Sequence, residues 1–326
     1  MKMNKILYFI LIVTLSFLMV SCEKDEDAIV EFDELTEYMA ANGMDLPAML
    51  TDWIIPATTV NADPSAYFVM DIRKGDKYFP GTPDFEDGHI PGAHSVALAD
   101  VVTYEAANNA GNLPVVVACY TGHDSGHGTM ALRLSGVTTA KSLKWGMSGW
   151  HSDFNIWDNV KGNKANDYPG SWSHDDSTPT LPSFADSPEL ASGLEDGAAI
   201  LDYQITNAVV DGLNGITNSE VLAAPTAFDV YTYWAKADWD VYGSIAGSYQ
   251  VTPGDFGLDN LDILDPSATN VFTCWSGQTA SMIAAWLNAL GYDARTLKFS
   301  ANGMIYDDLQ KSKWAAPAEL AYETGS

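Results

Sequence analysis

Three short apolar runs punctuate the chain: Tyr67-Phe68-Val69-Met70, Val115-Val116-Val117-Ala118 and Val271-Phe272-Thr273. They are rich in β-branched and aromatic residues and lack polar alternation, which is the pattern of strands covered on both faces of a parallel sheet. After Cys274 the period changes. From Thr279 to Leu290, apolar Met282, Ile283, Trp286, Leu287 and Leu290 recur at helical spacing, and Gly291 supplies a natural stop. A shorter helix is expected from about Thr129 to Leu134, ending at Gly136. Strand and helix in alternation predict an α/β layered fold. Between residues 155 and 195, Asp, Ser, Gly, Pro and Asn dominate, with Tyr168-Pro169-Gly170 and Ser177-Thr178-Pro179-Thr180-Leu181-Pro182 as linker chemistry. Trp157 and Trp172 in that stretch predict that parts of it pack against a domain.

The pattern occurs twice. Gly88-His89-Ile90-Pro91-Gly92-Ala93-His94-Ser95-Val96 returns as Gly243-Ser244-Ile245-Ala246-Gly247-Ser248-Tyr249-Gln250-Val251, and 27 positions separate Gly92 from Cys119 and Gly247 from Cys274. Gly122 and Gly277 each follow a cysteine by three places. Ser142-Leu143-Lys144-Trp145 then aligns with Thr296-Leu297-Lys298-Phe299, and Gly149 with Gly303. Landmarks in one order at near-constant spacing indicate a duplicated unit. Cys119 and Cys274 are therefore equivalent positions, and a disulfide between them is not the natural reading.

The N-terminus bears on compartment. Lys2 and Lys5 precede the apolar run Ile6 to Val20, then Ser21-Cys22 and the acidic Glu23-Lys24-Asp25-Glu26-Asp27. The run is shorter than the roughly 20 residues a spanning helix needs, so it reads as a secretory signal. A small residue before cysteine resembles the lipobox of bacterial lipoproteins, with Met19 where leucine is usual. That likeness implies lipid on Cys22 and an extracytoplasmic, membrane-anchored protein of the cell envelope. An ordinary cleaved signal with a chance cysteine is the alternative. The acidic stretch would be a solvated tether. Across 326 residues, 16 Lys and Arg stand against 43 Asp and Glu. So negative a surface repels phosphate backbones and argues against a nucleic-acid partner.

The repeated unit resembles the rhodanese family of thiosulfate and mercaptopyruvate sulfurtransferases. The residues that carry the likeness are Asp71-Ile72-Arg73, Gly88-His89-Ile90-Pro91-Gly92-Ala93 and Cys119-Tyr120-Thr121-Gly122 in the first copy. In the second they are Asp229, Gly243, Ile245, Gly247 and Cys274-Trp275-Ser276-Gly277-Gln278-Thr279-Ala280. The resemblance implies two rhodanese-like domains, each a mainly parallel central sheet flanked by helices. The expected division is a lipoprotein signal at 1–21, tether and first domain at 22–160, linker at 161–195 and second domain at 196–326. It further implies sulfane-sulfur transfer through a cysteine persulfide, with no cofactor, from a small sulfur-containing anion to a thiol or other thiophilic acceptor. A cysteine between a buried strand and a helix N-terminus faces backbone N–H groups that favour thiolate, which fits this chemistry. Cys274 and Cys119 are the candidate nucleophiles. Trp275, Ser276, Gly277, Gln278 and Thr279 in one loop, and Tyr120, Thr121, Gly122 and His123 in the other, with Arg73, are the candidate substrate contacts.

There are departures. The place five after each cysteine, often arginine in single-domain members, holds Asp124 and Thr279, and the place six after holds Ser125 and Ala280, which disfavours phosphatase chemistry. Asp124 would raise the pKa of a nearby thiol. Its absence from the second loop, together with the longer second helix, points to Cys274 as the reactive residue. Arg73 and Lys74 could contact an anion, although for Arg73 a structural pair with Asp71 is the plainer role and the favoured one. His89 and Pro91 suit a structural turn. Cys119, His123, Asp124 and His127 have ligand-type side chains, but their loop-to-helix spacing does not obviously converge them, so no metal is expected. A catalytically silent binding or scaffold pair remains the competing reading.

Overall fold

A computed structural model describes residues 30–73, 81–209 and 212–325. The N-terminal segment with Cys22, and Lys74, lie outside these residues. Two five-stranded parallel sheets organise the rest. The first contains β1 (Ile54–Ile55), β2 (Phe68–Asp71), β3 (His94–Ser95), β4 (Val115–Ala118) and β5 (Lys141–Leu143), in the order β1-β5-β4-β2-β3. A short strand β6 (Trp172–Ser173) lies in the connection. The second sheet contains β7 (Gly215–Ile216), β8 (Asp229–Tyr233), β10 (Tyr249–Val251), β11 (Asn270–Thr273) and β12 (Ala294–Leu297). Strand β9 (Ser244–Ile245) instead pairs antiparallel with β6. Taken from β7, the second order is β7-β12-β11-β8-β10, which repeats the first strand for strand. The fold is thus α/β with two parallel sheets flanked by helices, as the sequence pattern predicts.

Why the sheets form where they do follows from burial. Every residue of β2, β4 and β11 is buried, and helices on each face leave no room for a polar side. Met70 and Val117 from the first sheet, and Phe272 and Ala285 from the second half, belong to one continuous apolar cluster. From Glu31 onward the chain packs as one unit.

Helices α1 (Glu31–Ala41), α2 (Val101–Asn108), α3 (His123–Leu134), α4 (Gly197–Gln204) and α5 (Gln278–Ala289) complete the layers used below. One sequence expectation is corrected here. The helix after Cys119 is not a short segment beginning near Thr129; α3 begins at His123 and matches α5 at 12 residues. Gly126 and Gly128 lower local helix propensity, which hides the first two turns from a pattern reading. Tertiary packing overrides that cost. A Cβ at Gly126 would fall on Ser281 Oγ and lie 3.2 Å from the Gln278 carbonyl oxygen, so glycine lets α3 and α5 pack closely side by side.

The chain ends cross over. Near the N-terminus, α1 packs against α4, Trp286 Nε1 donates to Met44 O at 2.9 Å, and Leu258 N donates to Asp45 Oδ1 at 2.8 Å. At the C-terminus, Leu320 N donates to Trp150 O at 3.0 Å and Trp150 Nε1 to Ala321 O at 2.9 Å. His89 and Glu323 exchange backbone bonds at 2.9 and 3.0 Å. Each half is therefore strapped by a terminal segment of the other. Among the described residues no helix is long and apolar enough to cross a membrane.

Candidate functional site

Each cysteine follows the C-terminal end of a central strand, β4 or β11, and precedes a left-handed glycine that opens a helix. This is the end of a parallel sheet where α/β folds place ligands. Gly122 (φ 94°) sends its N–H to Cys119 Sγ at 3.1 Å, and Gly277 (φ 85°) sends its N–H to Cys274 Sγ at 3.2 Å. An N–H at a helix start aimed at sulfur stabilises thiolate over thiol. The backbone that follows each last strand closes over its loop in the same way. Met147 N and Ser148 N donate to the carbonyls of Cys119 and Tyr120 at 2.8 and 3.1 Å, and Ala301 N and Asn302 N to those of Cys274 and Trp275 at 3.3 and 3.0 Å.

The two loops face each other across α3 and α5, and each inserts the fourth residue after its cysteine into the other. Gln278 Oε1 accepts the Trp145 N–H at 3.0 Å, while His123 Nε2 lies 3.1 Å from Phe299 N and 3.0 Å from Ser276 O. Trp145 and Phe299, aligned in the repeat, both adopt positive φ, 67° and 61°. Such conformations cost energy for bulky residues and persist where surrounding contacts hold them. The exchange closes the site. Cys119 and Cys274 are both free thiols, each about 1% exposed.

Electrostatics separate the two sulfurs. Burial pushes the Cys119 thiol up, and Asp124 pushes it further. The Cys119 thiol donates to Ser125 Oγ at 3.3 Å, and Ser125 in turn bonds Ser142 Oγ at 2.8 Å. The corresponding side chain at the second loop is Ala280. Burial, with Lys298 nearby, drives His123 down to about 3, so its ring is neutral at ordinary pH.

The remaining candidates fall in different places. Thr121 Oγ1 meets His123 Nδ1 at 2.8 Å, within the shared interface. Trp275 stacks on Trp234 at 4.5 Å and meets Tyr242 edge-on. Ser276 Oγ takes the Gln278 Nε2 donor at 3.3 Å, and Thr279 is half-buried. The Tyr120 ring lies under the Arg73 guanidinium at 5.9 Å. Arg73 forms a two-pronged pair with Asp71, at 3.0 and 2.7 Å to its two oxygens, and also donates to Gly88 O. The guanidinium is thereby engaged with structural partners. His89 packs flat on Phe85 and bonds its carbonyl at 2.9 Å. Among the described residues, no group of three or more His, Cys, Asp or Glu could hold a metal ion. Trp157 was legible only as a packing residue of the connection, yet its Nε1 donates to Thr121 O at 3.1 Å. Trp145 and Phe299 were visible as repeat landmarks, and that alignment was the signal for their paired role.

The family model described as "Rhodanese-like domain" matches residues 58–153. No curated protein matches the chain. Solved structures similar to it include thiosulfate sulfurtransferase from Pseudomonas aeruginosa, at 16% identity and TM-score 0.30 over 88% of this chain and 49% of that one. The 3-mercaptopyruvate sulfotransferase SseA from Escherichia coli has 14% identity and TM-score 0.26, over 76% of this chain and 98% of that one. The 3-mercaptopyruvate sulfurtransferase from Leishmania major has 14% identity and TM-score 0.29, over 79% and 75%. The chain spans about half the length of the Pseudomonas protein.

Proposed function

We propose that the chain is a tandem rhodanese-like sulfurtransferase, with one domain in 22–160 and another in 196–326, that carries sulfane sulfur on Cys274. The observation that carries this reading is the Gly277 N–H held 3.2 Å from Cys274 Sγ at the start of a 12-residue helix, in a loop without an acidic side chain. The Cys274 thiolate attacks the outer sulfur of a thiosulfate-like donor. A sulfur–sulfur bond forms to the enzyme, the donor's own bond breaks, and sulfite leaves with the electron pair. A second thiolate or cyanide then takes the outer sulfur and returns Cys274 as thiolate. The protein works outside the cytoplasm, anchored in the bacterial cell envelope by lipid on Cys22, and needs no cofactor.

The burial of both sulfurs, with His123 and Gln278 lodged across them, favours a second reading: a closed rhodanese-like pair that serves as a binding module. One experiment separates the two. The full-length protein is incubated with thiosulfate or mercaptopyruvate, its intact mass is measured, and transfer to cyanide is assayed. Wild type and Cys119→Ser gain one sulfur atom and turn over, while Cys274→Ser does neither. The same spectra read lipid on Cys22. A wild-type mass that stays unchanged with both donors hands the case to the binding module, and an unmodified Cys22 removes the anchor.

A further inference from the structure

The peptide between Ser276 and Gly277 has two ends, and both are engaged. Its N–H points at Cys274 Sγ, 3.2 Å away, while its carbonyl oxygen lies 3.0 Å from Nε2 of His123, a residue of the other half. A trans peptide is planar with C=O and N–H opposed, so whatever fixes the oxygen fixes the direction of the N–H. We infer that His123 is a positioning residue of the Cys274 site: reaching across from the first half, it holds the Ser276 carbonyl and so aims the Gly277 N–H at the sulfur. This rests on the reading of Cys274 as the sulfur-carrying thiol.

The imidazole is itself held from several sides. Thr121 Oγ1 meets Nδ1 at 2.8 Å, the Trp157 ring stacks at 5.9 Å, and Phe299 meets its edge at 5.0 Å. A Cβ at residue 277 would come within 2.5 Å of Nε2, so the ring and the backbone of the cysteine loop approach as closely as glycine allows. Two contacts compete for Nε2. The Ser276 oxygen requires a proton there, and the Phe299 N–H requires a lone pair. The tautomer with its proton on Nε2 donates to Ser276 while the Thr121 hydroxyl donates to Nδ1. Donation to the carbonyl polarises the peptide and strengthens its N–H toward sulfur, because hydrogen bonds in a chain reinforce one another. The other tautomer serves Thr121 and Phe299. The charged and titratable groups that bear on this cluster are Lys298, beside His123, and Tyr233, which interacts with Cys274. On α3, Asp124 acts on Cys119 and His127. In the first loop the same role falls to an uncharged group of its own half, the Trp157 indole, which donates to Thr121 O.

The test follows alkylation of Cys274 by iodoacetamide in the full-length protein, resolved by peptide mass spectrometry across pH. His123→Ala raises the pH midpoint of alkylation by about one unit, the size of a lost hydrogen bond to a charged group. His123→Gln, whose amide offers both a donor and an acceptor, restores it. His123→Leu keeps the bulk without a polar atom and behaves as His123→Ala, which guards against a cavity effect. If the ring only blocks access, alanine speeds alkylation equally at every pH and the midpoint stays put; that result overturns the inference, as does a Cys274 that never alkylates while the protein is folded. The sulfur-loading assay stands apart. A midpoint that moves as stated in a protein that takes no sulfur keeps the positioning role and sinks the transfer reading, whereas an unmoved midpoint sinks the positioning role whatever sulfur loading gives.

Discussion

At residue 119 the sulfur bonds a hydroxyl one turn along its helix, whereas at residue 274 that place holds an alanine. Cys119 donates to Ser125, which is bonded to Ser142, and Asp124 stands close enough to oppose a negative sulfur. Around Cys274 the same sequence places hold Ala280, Thr296 and Thr279. Both loops share the strand end, the left-handed glycine and the N–H aimed at sulfur. The lesson is that duplicated backbone provides the cradle twice, and side chains one turn along the helix decide which cradle favours thiolate. Burial and the Asp124 charge hold the Cys119 thiol up, while Ser125 and the backbone of the loop pull it the other way.

The largest contrast should come from the glycines. Gly277→Ala must hold an alanine at φ 85° and drive its methyl to 2.5 Å from His123 Nε2 and 2.9 Å from the Leu297 carbonyl oxygen. Gly122→Ala meets the side chain of Gln278 at 2.7 Å, which can swing aside. Urea denaturation should show Gly277→Ala destabilised by about 4 kcal/mol and Gly122→Ala by about half as much. Equal losses would mean that the ring of His123 yields as readily as the amide of Gln278.

That asymmetry was only partly open to sequence reading. Val115 to Ala118 and Val271 to Thr273 announced themselves as apolar runs and lie in strands, and the spacing of Gly92, Cys119, Gly247 and Cys274 exposed the duplication. The first two turns of α3 stayed hidden because His123, Asp124, Gly126 and Gly128 are poor helix formers, stabilised by packing on α5. The reciprocal lodging of His123 and Gln278 was also hidden. Both were named as loop contacts for a substrate, but nothing in one chain's order says that each reaches the opposite loop. The preference for Cys274 loses one support, since α3 and α5 are equally long, and keeps the charge of Asp124.

A smaller contrast lies one turn further on, where α3 carries His127 and α5 carries Met282. His127 is fully buried; the backbones of Val209 and Ser281 lie near, but among the described residues neither ring nitrogen has a hydrogen-bond partner. Burial pushes it down to about 4, partly opposed by Asp124. The folded state therefore binds its proton less readily than the unfolded chain does. The stability it allows is complete above the unfolded value near 6.5 and falls away as pH drops from there toward 4. That loss is about 3 kcal/mol for His127 alone. His123, depressed in the same direction, continues it toward 3. His127→Met should stabilise the protein by about 1 kcal/mol at neutral pH, where two unpaired nitrogens disappear. It should also flatten the decline between pH 6.5 and 4 in denaturation midpoints. A His127→Met protein with an unchanged acid profile would mean that this ring is hydrated or paired in solution.

The smallest effect concerns the charge beside Cys119. Burial is the larger of the two influences raising that thiol, and Asp124 the second. Asp124→Asn keeps the shape of the side chain and removes only the charge. In a Cys274→Ser background, thiolate formation at Cys119, followed by its ultraviolet absorbance, should move to lower pH by less than about one unit. Burial, the larger cause, remains, so the substitution makes Cys119 a better nucleophile without making it a good one. A shift of several units would show that charge, rather than burial, keeps Cys119 protonated, and a single substitution would then turn the first loop into a second reactive one. No shift at all would mean that the carboxylate is already neutralised by its own partners, and charge would not be what separates the two loops.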